Sequence, residues 1–299
     1  MSTIVLAIIA ALGFASMAIF ARVGMQGVKP IPSTLISLVI SFFPVLFLAL
    51  IFALPDIRAL PMAGYGWLLG LGALNFLGGR VLHYFAINLV GASRSSVILG
   101  TGLVFSAMFA ILLAGERPDP LLLVATVGVV IGLVIATGES IRQGWSRDRM
   151  SLVGYLSALL AAASYGGVVV AAKELTLAYG SPLIITAFSL FFGILLLAPL
   201  GGRQAMGYMR ASGLDLKFIG YAALSGLAAA VASICLYYAL QIGDVTLVAP
   251  ISAISPIFTL LLAKIFISRL EPITRQVLVG TGVTVAGVIL VISGNTFLW

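Results

Sequence analysis

The chain has 299 residues, 62% of them apolar and 8% charged, against about 25% charged in ordinary soluble domains. At roughly 20 apolar residues per bilayer crossing, ten crossings take up about two thirds of the chain, which excludes a receptor with a ligand-binding head or an enzyme with a globular catalytic unit. The formal net charge of +7 comes from 16 scattered Lys and Arg; with no basic run to suit a nucleic acid, it reads as an orientation signal in a membrane.

In chain order, apolar stretches of helical length are expected at 3–24, 32–54, 66–90, 95–114, 119–138, 151–173, 182–200, 217–241, 245–267 and 274–294. The fold class is therefore an all-α integral membrane protein with ten transmembrane helices. Between them stand helix breakers, among them Lys29-Pro30, Pro55-Asp56, Glu116-Arg117-Pro118, Tyr179-Gly180-Ser181-Pro182 and Glu271-Pro272. The first stretch has no Lys or Arg before it and has a twin later in the chain, so it is expected to be a crossing and not a cleaved leader. The most polar connection, Glu139 to Met150, lies at the midpoint.

An offset of 150 aligns residues 6–50 with 156–200 without a gap, pairing Ala11 with Ala161, Pro32 with Pro182 and Phe42 with Phe192. The punctuation repeats as well: Tyr84 and Ala86 match Tyr237 and Ala239, and Glu116 and Gly132 match Glu271 and Gly287. Two units follow, 1–145 and 146–299. Five helices is an odd number, so the second unit enters from the opposite face, giving inverted repeats around a central cavity. Of the cations, Arg58, Arg117 and Lys173 fall on the side of the termini, 12 fall on the other side, and Arg80 lies inside a crossing. The positive-inside rule then puts both termini outside the cytoplasm.

Candidate binding residues concentrate in the third crossing. Arg80 and His83 are three apart and share a helical face, flanked by Asn75 and Tyr84. A mid-span Arg costs several kcal/mol or more unless it faces protein or water, and is a functional candidate on that ground. The competing reading has Arg80 snorkelling to an interface or bonding a broken helix end, and His83 packing as a satisfied core residue. Symmetry nominates further cavity walls: Phe14 and Ser16 in crossing one, Tyr165 in crossing six, Ser233 and Tyr237 in crossing eight, and Ser96 and Thr101 in crossing four. Each aromatic is equally accounted for by helix packing or by the interfacial belt. Gly78, Gly79, Gly100, Gly102, Pro250 and Pro256 mark places where helices break or hinge. The Gly66/Gly70 and Gly128/Gly132 spacings are read as helix-packing contacts.

All nine carboxylates fall at or near span ends, leaving no mid-membrane acid to relay protons or sodium, or to pair with a cationic drug. That favours a substrate with an acceptor group that Arg80 engages, with His83 as the titratable side chain for any proton coupling. One cysteine, Cys235, and one histidine give no disulfide and no metal cluster; Cys235 is expected to pack. No cofactor, metal or catalytic residue is expected. The Ser-containing segment 91–96 has no base partner, and the glycine-rich patches lie within apolar helices instead of following a strand.

Tyr84-Phe85-Ala86 and Tyr237-Tyr238-Ala239 close crossings three and eight, Ser255-Pro256-Ile257-Phe258 opens the second half of crossing nine, and Glu116 and Glu271 precede Gly-rich last helices. In these features the chain resembles the drug/metabolite transporter superfamily, EamA type, over nearly its whole length. The Trp-Gly-Ser-like step of that family's first helix is matched loosely by Phe14-Ala15-Ser16 and Tyr165-Gly166, and the first copy departs from the pattern with Val104 where the second has Pro256. The resemblance implies a bacterial inner-membrane carrier of ten helices exporting amino acids or related metabolites. It also implies cytoplasmic termini, against the charge count. The expected partners are a small-molecule substrate and the lipid bilayer, no nucleic acid, and at most a second copy, as monomer or homodimer. A passive channel and a non-transporting scaffold or lipid-handling protein are the alternatives.

Overall fold

The computed structural model describes residues 2–116, 149–210 and 216–266 continuously, with isolated positions in the segments between and after. The expected crossings at 119–138 and 274–294 and the connection 139–148 lie outside these continuously described residues. Among described residues the chain is helical, without strands. A backbone in hydrocarbon must satisfy its own hydrogen bonds, and a helix does so within one segment.

The helices are α1 (Ser2–Gly24), α2 (Pro30–Phe52), the short α3 (Leu54–Ala59), α4 (Met62–Gly72), a π-helical segment (Ala73–Val81), α5 (Leu82–Val90), α6 (Ala92–Gly100), α7 (Gly102–Leu112), α8 (Arg149–Tyr179), α9 (Pro182–Arg210), α10 (Leu216–Ile242), α11 (Val245–Ser252) and α12 (Ser255–Phe266). Seven described stretches are long and apolar enough to cross a membrane: 2–24, 30–52, 92–112, 150–179, 182–208, 216–242 and 247–266. Met62–Val90 is also helical throughout, in three pieces joined without a gap. The chain is a multi-pass integral membrane protein. Large apolar side chains that face outward, such as Phe47 at 63%, Trp67 at 66% and Leu112 at 71% exposed, suit contact with lipid.

Proline and glycine set the helix ends. Pro30 and Pro182 open α2 and α9 at first-turn positions, where a missing N–H costs nothing. Gly91 and Gly180 adopt φ of 95° and 98° between consecutive helices, a conformation that penalises any Cβ.

The packing pairs helices across the two halves of the chain. α1 lies along α10, α5 and α7 lie against α8, and α2 lies against α9. Exchanging the halves maps these contacts onto one another: the α7–α8 contact has its counterpart in α1–α12, and α2–α10 in the contacts of α4 and the π segment with α9. The α1 face is a stripe of alanines (Ala7, Ala10, Ala11, Ala15, Ala18, Ala21), each exposed by 1% or less. Small side chains let two helix backbones approach closely where lipid supplies no hydrophobic drive. Gly66 and Gly70 do not serve this purpose. Both are exposed on α4 with nothing within 4 Å of a Cβ placed there, because the packed face of α4 runs through Gly64, Leu68 and Leu71.

Candidate functional site: a central cavity around Arg80

Two helices are interrupted at corresponding points. α6 gives way to α7 at Thr101 (φ −65°, ψ −14°), and α11 gives way near Ala253 (φ −69°, ψ −4°), leading to α12. In the second case Pro256 has no N–H to offer the Ser252 carbonyl, and its ring crowds that oxygen, so the helix loosens over the preceding turn. In the first case glycines flank Thr101, whose Oγ1 donates to the Ile98 carbonyl at 2.6 Å and holds a tight turn. Matching Gly102 to Ser255 as helix starts sets Leu103, and not Val104, opposite Pro256. Val104 is 47% exposed, whereas Leu103 and Pro256 both line the cavity described next.

Crossing three is wound wider and not broken. Its π-helical segment holds Asn75, Gly78, Gly79 and Arg80, and π turns re-aim side chains on one face of a helix. Gly78 and Gly79 allow α8 to close against this segment. A Cβ on Gly79 would stand 2.5 Å from the Tyr165 ring, and one on Gly78 would stand 2.6 Å from Ser164 Oγ.

Between these elements lies a cavity of about 160 Å³, close to the roughly 150 Å³ that admits a benzene. Its polar wall includes Arg80, His83, Asn75, Ser96, Ser106, Ser233 and Ser252; its apolar wall includes Phe14, Met17, Val168, Val169 and Leu236, with Tyr165 and Tyr237 adding rings. The described lining holds no Asp or Glu.

Arg80 is 3% exposed and therefore does not snorkel. Its Nη1 donates to Ser37 Oγ at 3.5 Å, and its Cζ stands 5.0 Å from the centroid of the Phe76 ring. The ion pairs among the described residues all belong to Lys173, so the Arg80 guanidinium has no described carboxylate. Its Nε and both ring nitrogens of His83 are buried without a hydrogen-bond partner. His83 meets the Tyr165 ring edge-on, with centroids 6.2 Å apart. Asn75 Nδ2 donates to the Tyr237 hydroxyl at 3.4 Å. Buried polar groups are nearly always satisfied, so a cluster of such groups facing a cavity marks a candidate ligand site.

The geometry brings together Phe14, Asn75, Arg80, His83, Ser96, Tyr165, Ser233 and Tyr237, along with Gly100, Gly102 and Pro256. It leaves out three of the sequence candidates. Tyr84 is fully buried behind the wall, its hydroxyl 2.6 Å from Ser225 Oγ. Ser225 Oγ also donates to the Met17 carbonyl at 3.0 Å, and the Tyr84 hydroxyl reaches Ser37 Oγ at 3.4 Å. Ser16 Oγ turns back to the Leu12 carbonyl at 2.9 Å, and Thr101 caps its own turn. Pro250 lies within α11, just beyond the lining. Sequence reasoning passes over Ser37 and Ser225, which link α2 and α10 to crossing three, and the lining serines Ser106 and Ser252. Small hydroxyls spaced like any others along apolar helices carry no distinguishing signal.

A second polar cluster lies away from the cavity. Lys173 Nζ bonds Glu116 Oε1 at 2.9 Å and Asp244 Oδ1 at 2.7 Å, and Glu116 Oε1 also accepts the Val245 N–H at 3.0 Å. Glu116 thus caps α11, while Asp244, at the N-cap position, makes no side-chain cap bond. Lys173 ties the end of α7 to α8 and to the start of α11.

The described residues thus form a multi-pass helical membrane protein with an internal cavity beside two interrupted helices. The EamA-like transporter family matches residues 1–138 and again 152–293, and the chain belongs to that family of membrane transporters, within the drug/metabolite transporter superfamily. A solved crystal structure superposes with a TM-score of 0.75 at 18% identity, covering 97% of this chain and 96% of that one; this likeness concerns the fold alone. An uncharacterized protein of Methanocaldococcus jannaschii is 33% identical over 81 residues, which is 27% of this chain and 58% of that relative's length.

Proposed function

We propose that this protein is a secondary transporter that moves a small organic metabolite, an amino acid or related amphipathic compound, out of a bacterial cell across the inner membrane by alternating access. In this reading the units 1–145 and 146–299 are inverted five-helix repeats, ten helices in all, and the cavity at their junction is the substrate site. The observation that carries it is the Arg80–His83 cluster: a cation 3% exposed, without a described carboxylate, beside an imidazole with both nitrogens unpartnered. An uncompensated charge of this kind is costly and is retained at functional sites. Arg80 anchors an acceptor group of the substrate, His83 and Asn75 complete the polar wall, and Phe14, Tyr165 and Tyr237 give the apolar contacts.

The test is counterflow in proteoliposomes. The wild type accumulates labelled solute against an unlabelled internal pool, which a channel does not do. Arg80→Ala abolishes this while eluting as the same folded species in gel filtration. Transport by that variant at the wild-type rate refutes the role of Arg80. Orientation rests on the 12 to 3 cation bias: a reporter fused at Trp299 that is active only outside the cytoplasm is expected, and activity from a cytoplasm-only reporter overturns it.

A further inference from the structure

Granting the carrier reading, we infer that the cavity is built for a compact organic monoanion, a carboxylate with a short apolar body and no ammonium group, in preference to the zwitterionic amino acid. The argument is charge balance. Arg80 is the charged side chain among the described lining residues, and no described lining residue is acidic. The carboxylates among the described residues, Asp56, Glu116, Glu174 and Asp244, fall at or near helix ends. A monoanion neutralises the site, a zwitterion leaves it at one positive charge with an ammonium to desolvate, and a cation doubles the charge. Desolvating an ammonium without an anionic partner is unfavourable.

Helix ends do not make up the deficit. The starts of α7 and α12 (Gly102, Leu103; Ser255, Pro256) and the ends of α6 and α11 (Gly100, Ser252) all reach the cavity, so dipole ends of opposite sign offset one another. Most carbonyls near those C-terminal ends are engaged, Ile98 O by Thr101 N and Oγ1, Ala249 O by Ala253 N, and Ile251 O by Ile254 N; the Ser252 carbonyl, which Pro256 leaves without its helical donor, is a neutral acceptor and does not cancel the charge of an ammonium. The unpartnered side-chain nitrogens at the site, Arg80 Nε and those of His83, include the donors that a carboxylate needs. Guanidinium matches carboxylate with parallel bonds. The volume of about 160 Å³ and the walls of Phe14, Met17, Val168 and Val169 suit a body of four to six carbons and disfavour a bare inorganic anion.

Three solutes sharing an isobutyl body separate the cases: 4-methyl-2-oxopentanoate, leucine and 3-methylbutylamine, with chloride as the inorganic probe. Each is tested for thermal stabilisation of purified wild-type protein and as competitor in counterflow of labelled 4-methyl-2-oxopentanoate. The oxo acid is expected to act at about tenfold or more lower concentration than leucine, with no effect of the amine or of chloride at equal ionic strength. Arg80→Gln removes the preference. Arg80→Lys, which keeps the charge, retains it in part and replaces Arg80→Gln if that variant does not fold. Competition by leucine equal to the oxo acid overturns the anion assignment and leaves the carrier standing. A thermal shift by the oxo acid without counterflow overturns the carrier and leaves the anion site standing. Neither shift nor counterflow with any probe overturns both.

Discussion

Replacing Lys173 with Met keeps most of the side-chain length and removes its charge. The side chain of Lys173 is 12% exposed and that of Glu116 is 11% exposed, whereas that of Asp244 is 73% exposed. The two arms of this cluster therefore differ in worth. Removing one partner from a buried pair costs about 3–5 kcal/mol because it strands the other charge. Here Glu116 keeps the Val245 N–H, which offsets part of that, so the Glu116 arm is worth about 2 kcal/mol. The Asp244 arm lies in water and is worth about 0.5 kcal/mol. Lys173→Met should thus destabilise the folded protein by about 2–3 kcal/mol. The assay is denaturant unfolding in detergent, followed by tryptophan fluorescence, in a double-mutant cycle with Glu116→Gln and Asp244→Asn. The Lys173–Glu116 coupling should exceed the Lys173–Asp244 coupling by about 1 kcal/mol or more. A Lys173→Met variant within about 0.5 kcal/mol of wild type, or a larger coupling to Asp244, refutes the reasoning.

Tyr84→Phe removes the hydroxyl that bonds Ser225 at 2.6 Å and leaves the cavity wall unchanged; it should cost about 1–2 kcal/mol in the same unfolding assay, with the transport KM within twofold of wild type. Gly79→Ala puts a methyl 2.5 Å from the Tyr165 ring and should lower both thermal stability and transport rate. Gly66→Ala meets open space and should leave transport unchanged and stability unchanged or slightly raised, since Ala is the better helix former; equal damage from the two glycine variants in a thermal melt contradicts the assigned contact.

Much of the cavity lining was legible from residue type. Arg80 and His83 stand out because charged or titratable groups in apolar helices are costly enough to be rare; Gly102 stands out because glycine loses more backbone entropy in a helix, and Pro256 because it lacks a backbone N–H. The sequence candidates that lie outside the cavity lining are those whose position depends on rotation about a helix axis. Tyr84 and Tyr237 occupy matching places in the two halves, yet Tyr237 lines the cavity and Tyr84 is sealed behind it by Ser37 and Ser225. The π-helical winding of Ala73–Val81 bears on this difference, since each extra residue in a turn rotates everything beyond it by about 100° relative to a regular helix.

Composition and the period of apolar stretches by themselves determined a multi-pass helical membrane protein with a repeated half, because the bilayer sets helix length and forbids an unsatisfied backbone. The same sequence singled out Arg80, because a lone cation amid apolar residues needs no coordinates to be noticed. Only the tertiary structure decided which polar groups share the cavity and which satisfy one another elsewhere. A hydroxyl on an apolar helix is equally able to bond its own backbone, as Ser16 and Thr101 do, a neighbouring helix, as Ser225 does, or a ligand; the choice is made by the packing of helices far apart in sequence.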